Sequence, residues 1–230
     1  MLKNHELTIA IDGPAAAGKS TVAKLIADQL SYIYIDTGAM YRALTLKALR
    51  KKIDVHDEKA LRELLNRTTI HLQKKNGEQI VLLDDEDVTD AIRSHEVTAN
   101  VSYVAAHSEV RTEMVDRQRQ LASKTGVVMD GRDIGTHVLP NADVKFFLVA
   151  SVYERAKRRH EENKQKGIPS DLQELQKEIE KRDKLDSSRE VSPLMKAEDA
   201  IEIDTTSLTI DEVAEKLLQK IREAKRKGRA

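Results

Sequence analysis

The sequence contains no cysteine and no tryptophan among its 230 residues, and only five tyrosines and two phenylalanines. Without cysteine, the chain forms no disulfide, no cysteine-ligated iron–sulfur cluster and no thiolate zinc site. With so few aromatic side chains, a stacking platform for single-stranded nucleic acid is not expected. No segment approaches the ~20 apolar residues that span a bilayer, and the N-terminus lacks a long apolar stretch. We therefore expect a soluble, cytoplasmic protein with no membrane partner.

An excess of charge of one sign is also lacking, because 39 basic residues balance 39 acidic ones. No global field therefore favours nucleic acid or an acidic membrane surface. Charged residues make up 34% of the chain, which is typical of the solvated faces of amphipathic helices. The length suits one α/β domain with a substantial core and a small insertion.

A glycine-containing loop near the N-terminus gives the most specific chemical signal. Residues 7–21 read LTIAIDGPAAAGKST, an apolar run followed by the full GxxxxGK[ST] pattern. In this pattern successive backbone N–H groups surround an anion, and the following helix adds its positive dipole end. The lysine, here Lys19, reaches the β- and γ-phosphates, and the Ser20 hydroxyl ligates Mg²⁺.

This loop predicts that the chain binds ATP or GTP. A purely structural turn between strand and helix is the alternative, but the apolar run before the loop and the helical stretch after it are what the mechanism requires. Pro14 has no N–H to donate, whereas the later loop residues do. The predicted phosphate-binding residues are Gly13, Pro14, Ala15, Ala16, Ala17, Gly18, Lys19, Ser20 and Thr21.

Short apolar segments alternate with amphipathic helical segments, which predicts an α/β fold with a parallel sheet covered by helices on both faces. The predicted strands are residues 7–11, 32–35, 127–129, 144–149 and 201–203. The predicted helices are residues 19–30, 39–51, 58–66, 108–124, 152–166, 172–184 and 210–227.

One region breaks this alternation. Residues 69–73 and 79–83 flank Asn76-Gly77, and Asn-Gly is a strong hairpin signal. Residues 66–95 are therefore predicted to form a small antiparallel insertion. The acidic run 84–87 is interpreted as a solvated hairpin end in preference to a metal site.

Two further turns follow predicted strands, at the sheet edge where open α/β sheets bind ligands. The first reads IDTGAMYRA, with Tyr41 and Arg42 expected in the first turn of a helix. Arg42 is able to bind a phosphate through two parallel hydrogen bonds. The alternative is that Thr37 only caps this helix and that Arg42 is a surface residue.

The second turn, residues 126–135, reads GVVMDGRDIG. An apolar strand ending in Asp130 is typical of the aspartate that supports Mg²⁺ in phosphate-loop proteins. Two glycines bracket Arg132 and Asp133, and glycines let the backbone turn tightly near a ligand. We expect Arg132 and Asp133 to contact the ligand, with a structural turn as the alternative.

Two groups of arginines lie at helical spacing in the C-terminal half. The first is Arg155, Arg158 and Arg159. The second is Arg182 and Arg189 with Asp186 between them, and its members share one face if the helix continues. Like charges at i, i+3 and i+4 repel by ~0.2–0.5 kcal/mol per pair, so a nearby anion would stabilise the first group. Each group is alternatively a solvated face. ATP and a monophosphate acceptor together carry about six negative charges at neutral pH. The arginines therefore indicate a phosphoryl transfer whose acceptor is itself a phosphate.

Four segments taken together carry a family resemblance: IAIDGPAAAGKST, IDTGAMYRA, DGRDIGT and the stretch from Arg182 to Arg189. In this combination, order and spacing, the chain resembles the bacterial cytidylate (CMP/dCMP) kinases of the nucleoside-monophosphate kinase family, over about residues 5–220. The resemblance implies a P-loop three-layer fold with a five-stranded parallel sheet. It further implies a single domain with a core at about 5–36, 107–150 and 190–227, an NMP-binding region with the insertion at about 37–106, and a short lid at about 155–170.

The resemblance also implies a reaction and a set of partners. ATP would phosphorylate CMP or dCMP, with Mg²⁺, in pyrimidine nucleotide metabolism. The partners would be small nucleotides only, with no nucleic acid, and the protein would be a monomer. The family commonly has Ser and Gly where this chain has Ala15 to Ala17, but the backbone N–H groups are retained.

Residue roles follow from the same resemblance. The residues implied in catalysis are Lys19, Arg132, Arg155 and Arg159, the last two moving with the lid. Arg42, Arg132 and Arg189 would hold the CMP phosphate. Ser102, Arg111 and Asp133 would contact the cytosine ring, and Arg182 and Asp186 the ribose. Thr37 and Tyr41 complete the implied substrate-binding set.

Two other functions stay open at this point. One is a phosphate-loop kinase for another small acceptor, such as shikimate or a different nucleotide; the insertion and the Gly-Arg-Asp-Ile-Gly segment count against it. The other is a regulatory nucleotide switch. Switch GTPases usually carry an Asn-Lys-x-Asp segment that recognises guanine, and this sequence contains none.

Overall fold

The structure is a computed structural model that describes residues 6–123 and 126–227. Within these residues the chain divides into two compact units. The first comprises the segments before Ile35 and after Leu121, and the second is Ile35–Leu121. Two predicted limits, the helix end at Lys124 and the core start at residue 5, lie outside the described residues.

Eight strands occur in the described part of the chain. They are β1 Thr8–Asp12, β2 Ile33–Asp36, β3 Ile70–Lys75, β4 Glu78–Leu83, β5 Glu86–Asp87, β6 Val127–Gly131, β7 Val144–Val149 and β8 Ile201–Asp204. A five-stranded sheet has the order β2-β6-β1-β7-β8. The pairs β1–β6, β1–β7 and β7–β8 are parallel. The predicted α/β fold with a parallel sheet is therefore confirmed.

Helices account for most of the remaining described residues. They are α1 Lys19–Leu30, α2 Thr37–Arg50, α3 Glu58–Asn66, α4 His95–Val104, α5 Ser108–Ala122, α6 Val152–Gln165, α7 Leu172–Ser188 and α8 Ile210–Lys227. Among the described residues, no helix has both the length and the apolar character needed to cross a membrane.

The core of the first unit explains why its strands are apolar almost throughout. Every residue of β6 is buried, as expected for a strand covered on both faces. Phe146 and Leu148 of β7 pack in one cluster with Ile26 of α1 and Leu217 of α8. This packing fixes the carboxyl ends of β1 and β6, where the predicted ligand-binding turns begin.

Helix α2 starts earlier than predicted. The Asp36 carboxylate accepts a hydrogen bond from the Ala39 N–H at 2.9 Å, so Asp36 caps the helix and Thr37 is its first residue. The alternative that Thr37 is the cap is wrong, because the aspartate one position earlier already satisfies the free N–H group. Tyr41 and Arg42 consequently lie in the second turn and not the first.

Other helix ends also differ from the prediction. Helix α6 ends one residue early, at Gln165, while α7 continues to Ser188 in place of residue 184. The extension keeps Asp186 on the helix and makes Arg189 the residue that follows its last turn. Arg182 and Asp186 therefore share one helix face, as predicted. The prediction that Arg189 continues this face is wrong, because the helix ends at Ser188 and the backbone of Arg189 is extended.

The second unit contains the predicted antiparallel insertion. Strands β3 and β4 pair antiparallel, with Ile70 opposite Leu83 and Lys75 opposite Glu78, and β5 adds a short third strand. Asn76 and Gly77 have φ values of 53° and 86°, the left-handed conformation at both positions that a two-residue hairpin turn needs.

Helix α4 was missed in the sequence, although its signals are present. Ser94 accepts a hydrogen bond from the Val97 N–H, and Val97, Val101 and Val104 are buried at i, i+4 and i+7. This spacing is one face of a helix. Helix α4 carries Ser102, one of the predicted substrate-binding residues.

The hairpin turn gives a first prediction. Gly77→Ala forces an alanine into a left-handed conformation, and we expect it to lower the free energy of unfolding by about 1 kcal/mol. Asn76→Gly is the control, since glycine adopts this conformation freely, and it should stay within about 0.5 kcal/mol of the parent. Urea denaturation measures both; equal stability of the two variants would contradict the turn geometry.

Candidate active site

The loop between β1 and α1 has a backbone that two of its glycines make possible. Gly13 has φ 146°, and a Cβ built on it would lie 2.1 Å from the carbonyl oxygen of Leu148 in β7. Gly18 has φ 88° and directly precedes α1, whose Val22 N–H donates to the Gly18 carbonyl. The loop therefore closes against β7 and leads straight into a helix N-terminus, the arrangement that binds anions.

Lys19 is almost completely buried in this loop, with 5% of its surface exposed. Its ammonium donates a hydrogen bond to the Pro14 carbonyl at 2.6 Å. Burial, and then the positive charge of Arg132, lower the pKa of Lys19 to about 7, although Asp130 and Asp12 act in the opposite direction. The carboxylates nearby do not fully compensate this buried cation, so an anionic ligand such as a polyphosphate fits the site.

Ser20 and Asp130 form the second element of the loop site. The Ser20 hydroxyl donates to Asp130 Oδ2 at 2.9 Å, and the Tyr34 hydroxyl donates to Asp130 Oδ1 at 2.7 Å. Because the Ser20 proton points to the carboxylate, the serine lone pairs remain available to a cation. Hydroxyl, carboxylate and phosphate oxygens are the ligands that Mg²⁺ prefers, so these residues fit a magnesium ion bound together with a polyphosphate.

The described residues contain no group of three or more His, Cys, Asp or Glu side chains able to hold a metal ion. A metal at Ser20 would therefore take most of its ligands from phosphate oxygens and water. Mg²⁺ commonly binds in this way at nucleotide sites. In the acidic run 84–87, Asp84 pairs with Lys47 and Glu86 with Arg50.

Asp12, the last residue of β1, connects the loop to the Gly-Arg-Asp-Ile-Gly segment. Its carboxylate accepts from the N–H groups of Ile134 at 2.8 Å and Gly135 at 2.7 Å. Burial raises the pKa of Asp12 to about 7, and these two hydrogen bonds counteract part of that shift. Sequence reasoning missed this residue; its position at a strand end, immediately before Gly13, was the available signal.

The predicted acceptor-side residues of the first unit form one network. Asp186 accepts from Arg132 Nε at 2.9 Å and lies 3.9 Å from Arg182, while Arg189 lies 3.5 Å from Asp133. Three guanidinium groups therefore share two buried carboxylates, which leaves the network cationic.

The pKa shifts in this network follow from burial and charge. Burial lowers the pKa of Arg182 to about 10, and Arg132 adds to that effect. Burial disfavours the charged form of Asp186 as well, but Arg132, Arg182 and Arg189 outweigh it and lower the pKa of that carboxyl. Asp186 is thus an anion that orients the surrounding arginines.

The first arginine group is paired within the protein. Arg155, 3% exposed, bonds Asp183 at 2.6 Å and donates to the Ala15 carbonyl of the loop at 3.1 Å. Arg158 pairs with Glu154, and Arg159 with Glu162. These carboxylates offset the repulsion among the three arginines, for which the sequence analysis invoked a bound anion. Catalytic roles for Arg155 and Arg159 stay predictions.

The second unit places its predicted substrate residues on α2, α4 and α5. Arg42 donates to the Thr98 hydroxyl at 2.8 Å and to the Ile92 carbonyl at 3.2 Å. Thr98 was not singled out in the sequence, because α4 was not predicted. The Arg42 guanidinium is thus held by side chain and backbone together.

Arg111 is buried and donates to the Ala105 carbonyl at 3.1 Å. Its guanidinium lies 5.5 Å from the centre of the Tyr41 ring, a cation–π distance. Ser102 and Thr37 are also buried. Polar and cationic groups buried on one unit are expected where a ligand is recognised through hydrogen bonds.

The chain is similar to known proteins over almost its whole length. A family model described as cytidylate kinase matches residues 9–223. The cytidylate kinase of Anoxybacillus flavithermus is 64% identical over 213 residues, covering 93% of this chain and 95% of that protein. The cytidylate kinase of Bacillus subtilis is 62% identical over 221 residues, covering 96% and 99%. A solved structure from Eubacterium ventriosum shares the fold with a TM-score of 0.51 at 14% identity, covering 95% and 99%.

The burial of Lys19 gives a prediction about pH. A lysine whose pKa falls from 10.5 to about 7 on folding destabilises the protein below about pH 7, and this penalty fades as pH rises toward 10.5. Lys19→Met, measured without nucleotide, should therefore raise the Tm by at least about 2 °C at pH 7. The difference from the parent should shrink at pH 9 to 10.

Lys145→Met is the matched control for this experiment. Lys145 is equally buried, but its ammonium pairs with Asp199 at 2.9 Å and with the Pro140 carbonyl at 2.6 Å. Its removal should lower the Tm at pH 7, since a compensated buried cation is lost. A Tm difference for Lys19→Met that is zero, or constant from pH 7 to 10, would contradict the inferred penalty.

Proposed function

This chain belongs to the cytidylate kinase family, and we propose that it transfers the γ-phosphoryl group of ATP to CMP and dCMP, with Mg²⁺, forming ADP and CDP or dCDP. The observation that carries this proposal is that Lys19 of the phosphate loop lies within electrostatic range of the arginine network. Arg132 and Arg182 both lower the pKa of Lys19, so the donor loop and the arginine network act on one small region.

On the donor side, the loop N–H groups from Ala15 to Thr21 surround the β- and γ-phosphates. Lys19 stabilises the phosphoryl group during transfer, because its ammonium is held in the loop by the Pro14 carbonyl and its charge is under-compensated. Ser20 and Asp130 hold the side of the loop where Mg²⁺ binds, and the ion when bound neutralises phosphate charge.

On the acceptor side, Arg132, Arg189 and Arg42 bind the CMP phosphate. Asp186 orients Arg132 through the bond at 2.9 Å and, with Arg182, contacts the ribose. Asp133, Ser102 and Arg111 bind the cytosine ring. A carboxylate is a good acceptor for the 4-amino group, which uracil lacks, so the Asp133 carboxylate favours cytosine.

The proposed organisation is a core, an NMP-binding region at about 37–106 with the hairpin insertion, and a lid at about 155–170. Arg155 belongs to the start of the lid, and its hydrogen bond to Ala15 joins the lid to the loop. Arg155 and Arg159 exchange protein partners for phosphate oxygens in the reaction. Tyr41 supports Arg111 through its ring, and Thr37 lines the substrate side of α2.

A panel of acceptors tests the proposed reaction. ADP formation is measured with CMP, dCMP, UMP, AMP and shikimate, and we expect CMP and dCMP to have kcat/KM at least about 100-fold above the others, because a buried carboxylate left without the 4-amino group is costly. Faster reaction with UMP or AMP would overturn the base assignment. ATP hydrolysis that does not respond to CMP would support a nucleotide switch.

Asp186→Ala tests the acceptor network. Removing this carboxylate releases Arg132 and leaves three guanidinium groups with one buried carboxylate, so we expect the KM for CMP to rise by about tenfold or more while the KM for ATP changes little. Asp199→Ala is the matched control, since Asp199 also pairs with a buried cation, Lys145, but belongs to no predicted site. An unchanged KM for CMP, or an equal rise for ATP, would contradict the assignment.

A further inference from the structure

We propose that the Tyr34 hydroxyl is a positioning group for the metal-binding side of the phosphate loop, acting through Asp130 on the Ser20 hydroxyl. Tyr34 itself contacts neither nucleotide nor metal in this proposal. The inference rests on the proposed function in one respect, namely that ATP and Mg²⁺ are the ligands of the loop.

Three separate elements meet at the Asp130 carboxylate. Tyr34 lies on β2, Asp130 on β6 and Ser20 in the first turn of α1. One carboxylate oxygen accepts from Tyr34 at 2.7 Å and the other from Ser20 at 2.9 Å. Since a hydroxyl donates to each oxygen, rotation of the carboxylate breaks at least one charge-assisted hydrogen bond. The tyrosine therefore contributes to fixing the plane of the carboxylate.

The tyrosine is itself held rigidly enough for this task. Its ring packs against the core of the first unit. The Lys24 ammonium lies 5.9 Å from the ring centre, and Lys24 is one helical turn after Ser20 on α1. The phenol is thus a hydrogen-bond donor on a packed ring, placed by the sheet and by the same helix that carries Ser20.

The orientation of the Asp130 carboxylate determines whether the Ser20 oxygen lone pairs face a metal ion. While Ser20 donates its proton to Asp130, its oxygen lone pairs are available to a metal. If the carboxylate turns away, the serine proton seeks another acceptor and the oxygen is no longer oriented for the ion. Groups that orient ligands in this way commonly govern metal affinity although they bind no metal themselves.

Tyr32 provides a control that matches Tyr34 closely. It is two positions away, packs against the same core, and has a lysine, Lys225, 4.9 Å from its ring centre. Its hydroxyl also makes a hydrogen bond, accepting from the Leu7 N–H at 2.9 Å. Leu7 precedes β1, so this contact lies at the opposite end of the strands from Asp130.

The test compares Tyr34→Phe and Tyr32→Phe with the parent protein, without acceptor. Isothermal calorimetry gives the Kd for ATP with Mg²⁺ and with EDTA. The Kd in EDTA divided by the Kd with Mg²⁺ measures how much the metal contributes to ATP affinity. We expect Tyr34→Phe to reduce this ratio by about tenfold, the lower end of the losses caused by removing an orienting group. Its Kd for ATP in EDTA and its Kd for CMP should stay within about twofold of the parent.

Tyr32→Phe should keep the parent ratio, although its Tm is expected to fall because the Leu7 N–H loses its acceptor. The electron paramagnetic resonance spectrum of Mn²⁺·ATP bound to each protein is a second readout, and it should broaden for Tyr34→Phe alone. The inference is overturned if Tyr34→Phe keeps the parent ratio, if both variants reduce it equally, or if ATP in EDTA weakens by the same factor.

Failure of the inference is distinguishable from failure of the proposed function. If the parent protein binds ATP no more tightly with Mg²⁺ than with EDTA, both fail together. If the parent phosphorylates CMP and gains affinity from Mg²⁺ while Tyr34→Phe behaves like the parent, only the role of Tyr34 is refuted.

Discussion

Incompletely compensated positive charge, buried at the carboxyl ends of β1 and β6, is the constraint on which the site depends. Lys19 is buried there, and Arg132 and Arg182 add positive charge that its neighbouring carboxylates do not balance. Such an arrangement lowers the stability of the folded chain, and it persists because the core beneath it is extensive. In the proposed function, a polyphosphate supplies the missing negative charge, and the free energy lost in folding is recovered as affinity for the donor.

Three aspartates hold the loops and side chains of this site in place through hydrogen bonds and ion pairs. Asp12 ends β1 and accepts two backbone N–H groups from the segment after Arg132 and Asp133. Asp130 lies in β6 and binds Ser20 and Tyr34, and Asp186 on α7 binds Arg132. Each carboxylate joins elements that are distant in sequence. Parallel strands end at the same edge, so short acidic side chains there connect loops without additional structure.

The sequence predicted those features of the fold that depend on residues close together along the chain. The phosphate loop, the strands around it and the Asn76-Gly77 hairpin follow from contiguous patterns, and the structure confirms the strands and the hairpin. Thr37 was considered as the cap of α2 only as an alternative, and the structure gives that position to Asp36; both residue types favour it and only the backbone decides between them. The pairing of Tyr34 with Asp130 was beyond prediction, since 96 positions separate two residues that only the sheet order brings together.

For the arginines, spacing along the sequence did not predict which groups compensate their charge. Spacing within α6 suggested repulsion in need of an anion, yet the carboxylate that compensates Arg155 comes from Asp183 on α7. Asp186 does the same for Arg132, and Asp133 for Arg189. These carboxylates orient each guanidinium and neutralise part of its charge, so in the proposed function a phosphate meets arginines that are already in place. This arrangement limits the reorganisation that substrate binding requires, which is the physical meaning of preorganisation at this site.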